Sequence, residues 1–215
     1  MIKLYHCHNA RSFRPLWALE ELCLPYELIS LPFPPRALAP AYLDLNPLGT
    51  VPLLIDGQTR MTESAAMCEY LAAKNAPTAL NVDRQEPAFG AFLNWLHFGE
   101  ATLTFPQTLV LRYSRLEPED RRSPQVTEDY GRWFLARLRA VEATTATQDH
   151  LCAGRFTVAD ISVGYALLLG EELGLDARFG PATQAYWQQL QAREGFRRAK
   201  IAQGPSPAAQ REASE

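Results

Sequence analysis

The chain has 215 residues, 47% of them hydrophobic and 21% charged, with a net charge of −3. That length holds one large domain or two modest ones with a sizeable buried core. A pI near 5.9 favours neither nucleic acid nor an anionic membrane as partner, and no apolar run approaches the roughly 20 residues of a membrane span.

The N-terminus, Met1-Ile2-Lys3-Leu4-Tyr5, runs straight into a strand pattern over residues 2–7 and has no signal-peptide layout. A polar break follows at His8-Asn9-Ala10-Arg11-Ser12, and Pro15 then opens a helix through Leu22, proline being well placed in a first turn. Residues 26–31 alternate weakly as a second strand, so a right-handed crossover makes the first two strands parallel. Residues 32–47 read as loop, with one helical turn near Pro40-Ala41-Tyr42-Leu43. Val51–Ile55 is a third strand, turned at Asp56-Gly57 or Gly57-Gln58 into an antiparallel fourth at Thr59-Arg60-Met61. A helix over 63–74 puts Ala65, Cys68 and Leu71 on one face. The order β-α-β then β-β-α is that of a thioredoxin-like α/β domain, here residues 1–77.

Residues 78–87 read as a linker, and beyond it no strand pattern recurs, so 88–201 is expected to be all-α. Phe89, Phe92, Leu93, Leu96 and Leu103 mark a helix ended or kinked near Pro106, and Tyr130, Phe134, Leu138 and Val141 mark another. Residues 161–169 are apolar on nearly every side, which makes that helix the centre of the second domain. Residues 202–215, rich in Ala, Gln, Pro, Ser and Glu, read as a frayed tail. Cys7, Cys23, Cys68 and Cys152 show neither CxxC nor metal-ligand spacing, so free thiols in a reducing cytoplasm and no metal are expected. His6 and His8 flank Cys7, but neighbours on a strand point to opposite faces and cannot converge on a metal.

Three motifs carry chemistry. In Asn46-Pro47-Leu48-Gly49-Thr50-Val51-Pro52, Pro52 starts a strand because it cannot donate a ladder bond. A cis Val51–Pro52 bond would free the Val51 backbone to pair with a peptide-like ligand as an extra strand. Glu63 and Ser64 stand at a helix start, where they can hold charged ends of such a ligand or serve as an ordinary N-terminus. Phe156-Thr157-Val158-Ala159-Asp160-Ile161 fits a capping box, with Thr157 as N-cap and Asp160 as its structural partner.

With all three in order, the chain to about residue 200 resembles a bacterial cytosolic glutathione transferase. The resemblance implies glutathione as co-substrate, held by Val51 and Pro52 and by Glu63 and Ser64 at its γ-glutamyl end. It implies a thioredoxin-like N-domain plus an all-helical C-domain that supplies much of the electrophile pocket, with His97, Glu100, Thr104 and Phe105 toward it. The same residues serve equally as interface or core. Homodimerisation, a cytoplasmic location and a role in detoxification are implied too, with neither nucleic acid nor membrane as partner. The donor to the glutathione sulfur lies in this family between the first strand and first helix, which nominates Ser12, then Asn9, with Arg11 as an electrostatic aid. Ser12 is equally placed to be a simple helix cap. The leading activity is thiolate attack on an electrophilic small molecule. Glutathione-dependent isomerisation, reductive dehalogenation and disulfide reduction are the enzymatic alternatives, and a non-catalytic glutathione-binding or regulatory module is the other.

Overall fold

The computed structural model describes residues 1–205, so the expected tail from residue 206 onward lies outside the described residues. The chain divides into two compact units, one of residues 1–78 together with 192 onward, the other of 79–191. Among the described residues no helix is long and apolar enough to cross a membrane.

In the first unit, strand β1 (Ile2–His6) is followed by helix α1 (Phe13–Glu21) and strand β2 (Tyr26–Ser30). A four-residue helix α2 (Pro35–Leu38) and a 3₁₀ turn (Pro40–Asp44) lead to strands β3 (Leu53–Asp56) and β4 (Thr59–Met61) and helix α3 (Ser64–Lys74). The sheet order is β2-β1-β3-β4, with β1 parallel to β2 and β3 antiparallel to both β1 and β4. Leu4 on the central strand faces Leu28 on one side and Leu54 on the other, and is fully buried. Helix α1 starts two residues before the Pro15 mark and β3 two residues after Val51. Pro15 still falls in the first turn, where helix N–H groups have no intrahelical partner.

Helix α1 is buried over Phe13–Leu19, because the C-terminal helix (Glu194–Ala202) covers the face that the sheet and α3 leave open. Phe196 meets Phe13 at 5.4 Å and Trp17 at 5.0 Å between ring centroids, both edge-on. Arg193 grips the Glu21 carboxylate with two nitrogens at 2.8 and 2.9 Å, and Arg198 pairs with Glu20 at 2.9 Å. Partly exposed ion pairs are worth about 0–1 kcal/mol each, so the aromatic cluster contributes most of the stability and the arginines set the helix register. The segment expected to fray from residue 202 is therefore folded at its start: Ala202 is helical and the Gln203 cap is buried.

In the second unit, helix α4 (Phe89–His97) passes through a π-helical stretch (Phe98–Thr104) into α5 (Phe105–Leu111). Helices α6 (Pro124–Thr145), α7 (Val158–Glu172) and α8 (Pro181–Gln191) complete it. The distortion comes just before Pro106, which has no N–H to give the preceding turn. Helix α7 is buried from Val158 to Gly170 and forms the core. It lies so close to Gly99 that a Cβ there would sit 2.4 Å from Ser162 Oγ, while Ser162 Oγ donates to Leu96 O at 2.7 Å. On α6 the buried stripe is Gly131, Phe134, Leu138 and Val141. Tyr130 is off that stripe, stacked on half-exposed Trp133 at 5.5 Å. Residues 79–86 are held to this unit by Arg155, which donates to Ala79 O, Asn81 O and both oxygens of Glu86.

Candidate functional site

In the first unit the approach to Val51 is a built loop. Asn46 Nδ2 and Tyr42 OH both donate to Thr50 O at 2.8 Å, and Asn46 Oδ1 accepts from Leu48 N at 3.2 Å. Gly49 has φ +59°, and a Cβ on it would meet Arg36 Cβ at 2.6 Å, so both conformation and space require glycine. The Val51–Pro52 bond is cis. Among the described residues none hydrogen-bonds the Val51 backbone, which lies in a bend ahead of β3.

Helix α3 follows the β3–β4 hairpin and starts at Ser64. Glu63 is the extended N-cap residue, exposed, and its carboxylate makes no capping bond. Ser64 is buried, and its hydroxyl accepts from Arg14 Nη1 at 3.1 Å. Arg14, on α1, is itself fully buried. Sequence reasoning missed it, because one arginine in the first turn of a helix reads as a snorkelling side chain. The available signal was its place between Phe13 and Pro15, two apolar residues that open a buried helix. A buried cation at the first turn of α3 adds to the positive helix end and makes this corner attractive to a carboxylate.

The turn between β1 and α1 carries the two expected sulfur donors, Ser12 and Asn9, and the expected electrostatic aid, Arg11, in different states. Ser12 is fully buried. Its hydroxyl lies 2.8 Å from His6 Nδ1 and accepts from Cys7 N at 3.2 Å, and it makes no capping bond to α1. Burial pushes the His6 imidazole down to about 4, so it is neutral at pH 7 and shares a single hydrogen with Ser12. Asn9 is half-buried with φ 48°, a left-handed value that asparagine tolerates better than most residues. Its backbone N donates to Gln203 Oε1 at 3.1 Å, and its side-chain oxygen accepts from Gln203 Nε2 and Lys200 Nζ at 2.7 and 3.1 Å. Arg11 is half-buried in the same turn. Cys7 is buried, and desolvation pushes its thiol up to about 12, as it does for Cys68. Among the described residues no cluster of metal-ligating side chains occurs.

In the second unit His97 helps line an open depression of about 350 Å³ along α4, with Leu93, Asn94, Phe98 and Ala101. Glu100, Thr104 and Phe105 are not among its lining residues. Thr104 is fully buried and its hydroxyl turns back on Gly99 O at 2.7 Å, while Phe105 is 54% exposed. Thr157 and Asp160 form a capping box at the start of α7. Asp160 Oδ2 accepts from Thr157 N at 2.8 Å, and Thr157 Oγ1 from Ala159 N at 3.3 Å.

Comparison with known proteins points the same way. Residues 10–74 match the family profile of the glutathione S-transferase N-terminal domain. Glutathione S-transferase 3 of Schizosaccharomyces pombe is 38% identical over 103 residues, 48% of this chain, and that match spans 43% of the yeast protein. Glutathione S-transferase hmp2 of Hypomyces subiculosus is 33% identical over 172 residues, covering 75% of this chain and 78% of the relative. Among solved structures, a sphingomonad glutathione S-transferase complexed with glutathione superposes with a TM-score of 0.83 at 25% identity, covering 95% of this chain and all of that one.

Proposed function

The chain belongs to the glutathione S-transferase family, and from that premise we propose where its first unit binds glutathione and how it activates the sulfur. The peptide lies against the segment just ahead of β3, exchanging hydrogen bonds with the Val51 backbone as a short added strand. Its γ-glutamyl end meets the first turn of α3, where Glu63 takes the ammonium group. Ser64, backed by Arg14, and the helix N–H groups take the carboxylate. The observation that carries this reading is the Arg14–Ser64 bond at 3.1 Å, a buried positive charge at a helix start whose N-cap side chain makes no capping bond.

The sulfur then stands at the N-terminal end of α1. The turn favours the thiolate through the Arg11 guanidinium, the Asn9 side chain and the positive end of the helix. The Ser12 hydroxyl, committed to His6 and Cys7, shapes the turn from inside. With an aryl halide as electrophile, the thiolate carbon–sulfur bond forms, the carbon–halogen bond breaks and halide leaves. The thiol proton has already gone to solvent. Holding both reactants supplies the rest of the rate gain. Isomerase, dehalogenase and reductase chemistry through Cys7 is disfavoured by its burial and raised pKa. The electrophile class, homodimerisation and a cytoplasmic location belong to the same proposal.

The test is retention on immobilised glutathione followed by turnover of 1-chloro-2,4-dinitrobenzene and of a mixed-disulfide substrate. Arg11→Ala and Asn9→Ala should each raise the pKa of bound glutathione, read from thiolate absorbance, and lower turnover about 10–100-fold with binding retained. A wild-type protein that neither binds nor turns over glutathione would overturn the reading.

A further inference from the structure

The sequence places Gln203 in a stretch that reads as tail, yet its side chain is among the buried polar groups of the first unit. It caps the C-terminal helix, and its carboxamide forms a reciprocal pair with Asn9 across 194 positions of chain. The oxygen of Gln203 accepts from Asn9 N and its nitrogen donates to Asn9 Oδ1. Lys200, one helical turn earlier, donates to the same Asn9 oxygen while lying 5.9 Å from the centre of the Phe13 ring. The two donors converging on Oδ1 fix which end of the Asn9 amide faces which way. The backbone bond, in turn, holds Asn9 at φ 48°, a conformation that costs a non-glycine residue free energy unless its surroundings impose it. The helix that carries these groups is fastened independently by Phe196 against Phe13 and Trp17 and by Arg193 and Arg198 against Glu21 and Glu20. It is a rigid mount, not a loose end.

We propose that Gln203, assisted by Lys200, is a positioning residue for catalysis, holding the Asn9 turn in the geometry that stabilises the glutathione thiolate. This rests on the reading that the turn between β1 and α1 activates the sulfur. The C-terminal helix thereby becomes part of the active-site apparatus: its end sets the turn, and the turn sets the sulfur. Gln203 touches neither substrate in this scheme; it acts through Asn9, and its side chain also faces the His6 imidazole.

The experiment measures kcat, KM for glutathione and the pKa of bound glutathione, with 1-chloro-2,4-dinitrobenzene as the electrophile, in the full chain. Gln203→Ala should lower kcat about 10–100-fold, the cost of a small misplacement of a reacting group. It should raise the bound-thiol pKa and leave KM for glutathione within about twofold. Lys200→Met, which leaves the amide pair in place, should lower kcat about 2–5-fold in the same direction and stays informative if Gln203→Ala fails to fold. The double variant Asn9→Ala/Gln203→Ala should be no slower than Asn9→Ala, because a residue acting through another adds nothing once that other is gone. A folded Gln203→Ala or Lys200→Met with wild-type kcat and thiol pKa overturns the proposal, as does a double variant slower than both singles. If Asn9→Ala itself leaves kcat and thiol pKa unchanged, the reading of the turn has failed first. If Asn9→Ala is impaired and Gln203→Ala is not, the positioning role alone is wrong.

Discussion

Asp160→Ala should destabilise the second unit by far more than the loss of a helix cap. A cap alone is worth about 0.5–2 kcal/mol. Here the carboxylate is fully buried and takes four donors. Oδ2 holds Thr157 N and Thr157 Oγ1 at 2.8 and 3.1 Å, and Oδ1 holds Leu151 N and Tyr186 OH at 3.1 and 2.8 Å. Truncation strands two buried backbone donors and one phenol, each costing about 1–3 kcal/mol when left without an acceptor. Burial pushes the Asp160 carboxyl up against the pull of those donors, so removing a costly buried charge returns part of the loss. The net expectation is about 3–5 kcal/mol, or a fall in Tm of roughly 10 °C for a chain this size. Asp160→Asn separates the contributions. Its oxygen can keep Leu151 N and Tyr186 OH while its NH₂ faces the Thr157 donors, so it should lose only the capping half, about 1–2 kcal/mol. Tyr186→Phe should cost about 1 kcal/mol. Urea unfolding followed by tryptophan fluorescence measures all three from midpoint shifts at common slope. An alanine variant within about 1 kcal/mol of wild type would refute the reasoning. Normal stability with lost turnover would make Asp160 a functional residue.

Glu63→Gln should weaken glutathione binding by about 1–3 kcal/mol, the loss of one charge-assisted hydrogen bond; unchanged affinity by calorimetry in a folded variant would remove Glu63 from the site. Ser12→Ala should cost about 1–3 kcal/mol of stability, because it takes the acceptor from buried Cys7 N, while the pKa of bound glutathione stays put. The reverse pattern, normal stability and a raised thiol pKa, would restore the hydroxyl as sulfur donor. His6 has a folded pKa near 4 against an ordinary 6.5, so the unfolded chain takes up the proton first as pH falls. Its contribution is complete above pH 6.5 and is lost on the way down to pH 4, about 3 kcal/mol in all. Urea midpoints at pH 7.5 and 4.5 should therefore converge in His6→Gln, and an equal acid loss in wild type and variant would refute the assignment.

The elements with local signals were legible. Pro15 in a first turn, the Asp56-Gly57 hairpin and the Thr157–Asp160 box depend on neighbours within four residues, and propensity and capping act at that range. What was not legible depends on distant partners. The Arg14–Ser64 bond spans 50 positions and the Asn9–Gln203 pair 194. No spacing rule tells a polar residue on a buried helix which far carboxamide or hydroxyl it will meet. Composition misread the start of the tail for a related reason. The low hydrophobicity of residues 202–215 is an average, and it hides one glutamine, Gln203, that is buried and bonded twice to Asn9. Register errors at α1 and β3 stayed within two residues, the usual scale at element ends.

Residue type and position do not by themselves identify a sulfur donor, and Ser12 illustrates why. By sequence, a serine between a strand and a helix suits two roles, sulfur donor or helix cap, and the structure adds a third, a buried link. They differ only in the direction the hydroxyl takes about the Cα–Cβ bond. Here that direction is set by His6, whose side chain alternates inward with Leu4 on the central strand and leaves Nδ1 in need of a partner beneath the turn. A buried neutral imidazole without that hydroxyl would carry two orphaned nitrogens, since its Nε2 already lacks one among the described residues, and each orphan costs about 1–3 kcal/mol. The inward rotamer of Ser12 thus satisfies the core. In the proposed site, sulfur chemistry is assigned to two other residues of the same turn, Asn9 and Arg11. One of these, Asn9, is gripped from the far end of the chain.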